Sequence, residues 1–329
     1  MILQTQGTIE TRPLELVSRP EPAPAPGEVL LRVLACGVCR TDLHLVEGDL
    51  ELARRPIIPG HQIVGLVEAV GPAVGVELVG RRMGVGWLHT ACARCDFCLR
   101  GQSNLCDTAQ FTGFHRAGGY AEFVCASTEA LYPMPEGLPP ESIASWLCAG
   151  IIGYRALKLA EARNARRVGL YGFGGSAHLA LQVLKHWKNE VYVATRSPEH
   201  QAQARALGAD WVGAADSIPA ASLESAVLFA PSARLVPVIL RALDKGATLA
   251  IAGIHLSPLP ETDYQLLYGE RRITSVTNNT HRDGEEFLEL ATRIPIKSEV
   301  ECFGLDEANE ALGRMKRSAL RAPAAVLIP

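Results

Sequence analysis

The stretch Arg167-Val168-Gly169-Leu170-Tyr171-Gly172-Phe173-Gly174-Gly175-Ser176-Ala177 decides the architecture of the second half of this chain. Its first five residues predict a short buried strand, Arg167–Tyr171. Ala177–Trp187 predicts a helix, and the glycines between them predict a tight turn. The turn matches G-x-G-x-x-[GA] in the strand–turn–helix setting that a dinucleotide-binding loop requires. Gly172 permits the tight turn, Gly174 lets backbone amides approach a pyrophosphate at the helix N-terminus, and Ala177 keeps helix and strand close. Gly175 and Ser176 complete the loop. A purely structural turn is the alternative, and the flanking strand and helix argue against it.

Working outward, Val191–Thr195 predicts a second strand and Pro198–Leu207 a second helix. Ala226–Ala230, Leu235–Leu243 and Ala247–Ala252 continue the alternation. Strands alternating with helices imply a parallel, doubly wound sheet. The second strand ends Ala194-Thr195-Arg196-Ser197. An acidic residue at its end would receive the adenosine ribose and repel a 2′-phosphate, whereas arginine pairs with one. Thr195 stands at that position with Arg196 after it. The pair favours NADP(H), with NAD(H) the alternative that nearby Glu199 keeps open. Near Asn278 the pattern changes. Gly284–Thr292 and Glu307–Met315 predict helices and Ala324–Ile328 a closing strand, a tail that can return to the first domain. The first 150 residues read as β-rich, with runs at Val29–Val33, Ile63–Val70 and Gly119–Cys125. A proline-rich connection covers Pro20–Pro26, and the glycine density suits a curved sheet or partly closed barrel.

Four of the nine cysteines fall within fifteen residues, as C-x2-C-x2-C-x7-C: Cys92, Cys95, Cys98 and Cys106. Close thiolate pairs on tight turns can converge on one tetrahedral zinc. A four-thiolate site is closed to substrate, so its role is structural. A second set is dispersed. Gly37-Val38-Cys39-Arg40-Thr41-Asp42-Leu43-His44, then Gly60-His61-Gln62, then Leu147-Cys148-Ala149-Gly150 each carry one ligand type, and spacing alone does not bring them together. Cys36 with Cys39 also forms a C-x-x-C pair, without the strand–helix context of a redox motif. Cys36, Cys125 and Cys302 read as buried fillers; His89, His115 and His255 read as structural or surface residues.

Cys-Arg-Thr-Asp-Leu-His, the Gly-His pair, the later Cys-Ala-Gly, the four-cysteine loop and the glycine loop, in this order, resemble the zinc-containing medium-chain alcohol dehydrogenases over nearly the whole chain. The resemblance implies an α/β protein in two parts. Residues 1–150 and 281–329 would form a GroES-like catalytic domain, and residues 151–280 a Rossmann dinucleotide-binding domain. It implies two zinc ions per chain, one held by Cys39, His61 and Cys148 with a fourth position open for the substrate oxygen, where zinc acts as a Lewis acid. It further implies that Thr41 touches that oxygen, that His44 carries the proton towards solvent, that Asp42 orients the His61 imidazole, and that Arg40 contacts the cofactor pyrophosphate. Trp87 and Leu50 resemble substrate-pocket positions, suited to a short aliphatic or aromatic primary alcohol or its aldehyde. Gln62 departs from the frequent Gly-His-Glu of the family and supplies no carboxylate.

Composition fits this reading. The chain has 329 residues, 48% hydrophobic and 20% charged, with a net charge of -3, so nothing favours nucleic acid or an anionic membrane as partner. No run approaches the ~20 apolar residues of a membrane span. The start lacks a signal-peptide pattern, and a cytoplasmic protein is expected. The resemblance implies a homodimer or homotetramer. Three alternatives stand beside the leading one. A polyol dehydrogenase often has an acidic residue in place of the second cysteine ligand, against Cys148. A zinc-free quinone or enal reductase would lack both zinc sets. A zinc-stabilised nucleotide-binding protein without catalysis is hinted at only by Gln62.

Overall fold

In the computed structural model, which describes residues 1–254 and 256–329, Gly172 adopts a φ of +90°. A Cβ there would lie 2.7 Å from the Ala230 backbone nitrogen, so the turn needs glycine on two counts. His255 lies outside the described residues. The chain divides into two compact units: Met1–Ala149 with Asn278–Arg293 and Lys297–Pro329, and Gly150–Thr277 with Ile294–Ile296.

The second unit is built on six parallel strands. Their spatial order is Trp211–Gly213, Glu190–Ala194, Arg167–Tyr171, Leu223–Leu228, Leu243–Ile251, Arg272–Ser275. By sequence this is 3-2-1-4-5-6, the doubly wound order, and it reverses beside Arg167–Tyr171. The glycine loop therefore leaves the carboxyl end of the strand at the switch point. Tyr171, Leu223, Leu228, Ile239, Leu240 and Leu249 belong to its buried core. The helix after the loop is Gly175–His186, starting two residues before the predicted Ala177 because the extended Gly174 takes the N-cap. The sequence pattern missed Trp211–Gly213 and Arg272–Ser275. Both lie on the sheet's edges, Trp211–Gly213 only partly covered and Arg272–Ser275 mostly exposed, so they lack the apolar run of the inner strands.

The first unit centres on the long strand Glu28–Val38, which pairs antiparallel with Ile63–Val70, Phe123–Ser127 and Ala324–Ile328. Arg82–Val85 and Leu131–Pro133 extend one side of this seven-stranded sheet, and Val300–Gly304 the other. The register Ala325↔Val38, Val326↔Gly37, Leu327↔Cys36 brings the end of the chain onto the strand that leads into Cys39. Leu31, Val33, Ile63, Val67, Val85, Val124 and Leu327 are part of its core. Cys36 is buried and Cys125 half-buried, but Cys302 is exposed, not a buried filler. Strand alternation explains this: Phe303 faces inward, so its neighbour Cys302 faces out.

Candidate active site

The strand Glu28–Val38 ends at Cys39, which is the N-cap of the helix Arg40–Glu47. Asp42, in the first turn, reaches back and accepts the Cys39 N–H at 2.9 Å. Its carboxylate is 2% exposed and receives three more donors: the Gly60 N–H at 3.3 Å, the Tyr120 hydroxyl at 3.1 Å and His61 Nδ1 at 3.1 Å. Asp42 thus ties the start of the helix to the Gly60-His61 turn. Cys148 follows the short turn Ser145–Leu147 and precedes the helix Ala149–Leu159.

These elements bring three separated residues together. The sulfurs of Cys39 and Cys148 and a ring nitrogen of His61 all lie within 4.8 Å of one another. The two sulfurs are 3.8 Å apart. Two zinc–sulfur bonds of about 2.3 Å at a tetrahedral angle require a separation of about 3.8 Å. With Nδ1 bonded to Asp42, His61 Nε2 is buried and has no hydrogen-bond partner. A buried nitrogen left unmatched between two sulfurs suits a thiolate-binding cation. The electrostatics agree. Burial alone would push His61 down, but the Asp42 carboxylate and the Cys39 sulfur hold its pKa up at about 10. Hydrogen bonding from Cys148 holds the Cys39 thiol well below its ordinary value. The pocket is therefore a buried region that favours positive charge.

Around this triad, Thr41 Oγ1 lies 3.6 Å from Cys39 Sγ. His44 Nδ1 is hydrogen-bonded to Asp49 at 2.7 Å. Trp87 presents its ring edge-on to His61, 4.9 Å between centroids, and stacks on Phe111 at 5.1 Å and Phe114 at 6.0 Å. Leu50 is partly buried and packs against the core of the first unit. Arg40 is exposed. Gln62 is buried with its carboxamide against Gly37, where an added Cβ would meet Gln62 Cδ at 2.9 Å. Sequence reading missed Tyr120, Phe111 and Phe114. The structure shows why the turn before Tyr120 needs glycine: a Cβ on Gly118 would lie 2.1 Å from the Gly60 carbonyl oxygen. His89 is buried and neutral, with Nδ1 facing Thr112 Oγ1 and Nε2 accepting the Ser127 N–H; burial lowers its pKa to about 4. His115 accepts the Phe111 N–H.

The sulfurs of Cys92, Cys95, Cys98 and Cys106 also lie within 4.8 Å of one another. Cys92 and Cys98 are 3.9 Å apart, close to the same tetrahedral separation, and the Cys95 N–H points to Cys92 Sγ at 3.3 Å. Hydrogen bonding to Thr108 and to the Cys92 backbone brings Cys106 down to about 6, which favours the thiolate. Few apolar residues, chiefly Leu88, Ala109 and Phe111, support the lobe.

In the second unit, Gly174 is exposed, and a Cβ on it would meet no protein atom within 4 Å. The space beside it is open, and as an N-cap it offers no side chain to the N–H groups of Gly175, Ser176 and Ala177. Those donors suit a phosphate. Ala177 is fully buried against the sheet. Thr195 is buried at the end of its strand and donates its N–H to the Gly213 carbonyl, while Arg196 is exposed. Ser197 caps the helix Pro198–Ala206 and donates its hydroxyl to Glu199 at 2.5 Å.

Residues 25–136 match the alcohol dehydrogenase GroES-like domain. A probable alcohol dehydrogenase of Mycobacterium tuberculosis is 44% identical over 98% of this chain and 95% of its own. The chain belongs to the medium-chain alcohol dehydrogenase family. An alcohol dehydrogenase of Geobacillus stearothermophilus is 33% identical, over 94% of each chain. The solved structure of a Sorghum bicolor cinnamyl alcohol dehydrogenase superposes with a TM-score of 0.89 at 24% identity, covering 99% of this chain and 97% of that one. As a family member this chain is an alcohol oxidoreductase, with a GroES-like part and a doubly wound parallel-sheet part.

Proposed function

We propose that this alcohol dehydrogenase is zinc-dependent and interconverts primary alcohols and aldehydes, using NADP(H) in preference to NAD(H). The observation that carries the reading is the buried His61 Nε2, without a hydrogen-bond partner, in the cluster whose Cys39, His61 and Cys148 ligand atoms lie within 4.8 Å of one another. Cys39, His61 and Cys148 would hold the catalytic zinc and Cys92, Cys95, Cys98 and Cys106 a structural one. Zinc held by these two thiolates and the imidazole would supply Lewis acidity towards a substrate oxygen. A nicotinamide held by the glycine loop would supply or accept the hydride.

The remaining work falls to side chains. Asp42 fixes the His61 tautomer by accepting the hydrogen bond from Nδ1–H, which leaves the Nε2 lone pair to ligate the metal. Thr41 exchanges a proton with the substrate hydroxyl, and its position beside Cys39 supports this. His44 carries that proton onward, its ring held by Asp49. Trp87, in a T-shaped contact with His61, would narrow the substrate side, and Leu50 would be a second pocket position. On the nucleotide-binding side, assigned to residues 151–280, Gly172, Gly174, Gly175, Ser176 and Ala177 receive the pyrophosphate with help from Arg40. Thr195, Arg196 and Ser197 receive the adenosine ribose. The absence of an acidic side chain at Thr195 and the exposed Arg196 support a 2′-phosphate, and with NADPH the working direction is aldehyde reduction.

A panel of primary alcohols and aldehydes, assayed with both NADPH and NADH, tests the proposal. Turnover of primary substrates, faster with NADPH and abolished by chelation, is expected. Faster turnover with NADH would remove the cofactor assignment, and undiminished turnover after complete removal of zinc would remove the zinc assignment.

A further inference from the structure

Asp42 is a buried carboxylate whose two oxygens are each bracketed by two donors. Oδ1 takes the Gly60 N–H and His61 Nδ1; Oδ2 takes the Cys39 N–H and the Tyr120 hydroxyl. Three of these groups belong to the metal-binding turns themselves. The fourth, Tyr120, arrives from a different loop, 78 residues along the chain from Asp42. It is the only side-chain hydroxyl in the set, and its residue is fully buried.

We infer that the Tyr120 hydroxyl is a positioning residue for the Cys39–His61–Cys148 site, acting through Asp42. The inference rests on the reading of those three residues as metal ligands. A carboxylate can turn about its Cβ–Cγ bond, and the direction of Oδ1 sets the angle at which His61 is held. The Cys39 N–H alone leaves Oδ2 with one anchor. The Tyr120 hydroxyl supplies a second, from a separate loop, and so limits rotation of the carboxylate. The tyrosine is itself clamped. Its N–H donates to the Pro59 carbonyl at 3.0 Å, and the Gly119 N–H donates to the Gly60 carbonyl at 2.9 Å. Its ring lies on Gly60, where φ is +94° and an added Cβ would fall 2.4 Å from Tyr120 Cδ1. The same side chain therefore sets the backbone before His61 by ring packing and its Nδ1 partner by the hydroxyl. Phenylalanine would keep the first function and lose only the second.

The test is zinc release from the purified, zinc-loaded protein into a chromogenic chelator, with total zinc counted beforehand. A Cys39→Ser variant identifies which release phase belongs to the Cys39–His61–Cys148 site. In Tyr120→Phe that phase is expected to quicken by about 10–100-fold, the usual effect of removing an outer-shell partner, with the four-cysteine phase unchanged. The unchanged phase and a wild-type far-ultraviolet spectrum report an intact fold. In an Asp42→Asn background, adding Tyr120→Phe should change the rate several-fold less than in the wild type, because the charge-assisted bond from Asp42 to His61 that the hydroxyl serves is already gone. Wild-type release from Tyr120→Phe, or equal quickening of both phases, overturns the inference. A wild-type protein holding one zinc, in the four-cysteine loop alone, overturns the metal reading itself before any Tyr120 variant is made.

Discussion

Asp42→Asn keeps the side chain's size and removes its charge and one acceptor oxygen. Four donors converge on the native carboxylate at 2.9 to 3.3 Å. An amide oxygen can serve two of them, and its NH2 group then faces the other two. If the oxygen stays at Oδ1, Tyr120 can rotate its hydroxyl to accept, but the Cys39 N–H is orphaned. If the oxygen takes the Oδ2 position, the Gly60 N–H is orphaned and His61 must move its proton to Nε2, the nitrogen that faces the sulfurs. Either way one buried N–H is left unpaired, which costs about 1–3 kcal/mol, and the charge-assisted bond to the imidazole is lost for a further ~1 kcal/mol or more. We expect the thermal midpoint to fall by about 2–4 °C for each kcal/mol lost. Zinc affinity at the Cys39–His61–Cys148 site should weaken by about 10–100-fold, equivalent to about 1.4–2.8 kcal/mol. Zinc titration and thermal melts of the purified variant measure both effects. A variant that melts with the wild type and binds two zinc ions as tightly would refute the role given to Asp42.

Three further outcomes are expected. Gly172→Ala places a Cβ 2.7 Å from the Ala230 nitrogen at a φ of +90°, so strain and overlap together should cost roughly 2–5 kcal/mol, and nicotinamide binding measured by fluorescence should weaken at least tenfold. Unchanged nucleotide affinity would count against the loop assignment. Thr195→Asp with Arg196→Ala should reverse the cofactor preference towards NADH in kcat/KM; an unaltered ratio would mean that these residues do not read the 2′-phosphate. His89 has its pKa lowered to about 4 by burial, so the unfolded chain takes up a proton below about pH 6.5 that the folded one refuses until pH 4. Stability should therefore fall by about 3 kcal/mol between those values, and His89→Gln should flatten the slope in urea titrations at stepped pH; an identical slope in the variant would exonerate His89.

Much of the architecture was legible because its signals are local. Gly172 to Ala177 announces its turn by glycine spacing, and the four cysteines from Cys92 to Cys106 announce their cluster by crowding. Inner strands such as Arg167–Tyr171 carry their own apolar run, whereas the edge strands Trp211–Gly213 and Arg272–Ser275 do not and escaped notice. The proximity of Cys39 to Cys148 spans 109 residues of chain, and no periodicity encodes it. Family resemblance suggested the meeting, and folding provides it by ending one strand at Cys39 and starting a helix after Cys148. Tyr120, Phe111 and Phe114 were invisible for a different reason: an aromatic residue near glycines looks like ordinary core until its hydroxyl is seen on Asp42 or its ring against Trp87. Cys302 shows the converse, since a cysteine reads as buried until the strand's alternation turns it outward.

Cys39, His61 and Cys148 are proposed to hold a metal distinct from that of the four-cysteine loop. Metal content per chain, measured by mass spectrometry on the wild type and on Cys39→Ser and Cys92→Ser, tests it most directly. Two zinc ions are expected in the wild type and one in each variant, with Cys39→Ser inactive. One zinc in the wild type, or two zinc ions and full turnover in Cys39→Ser, would contradict it.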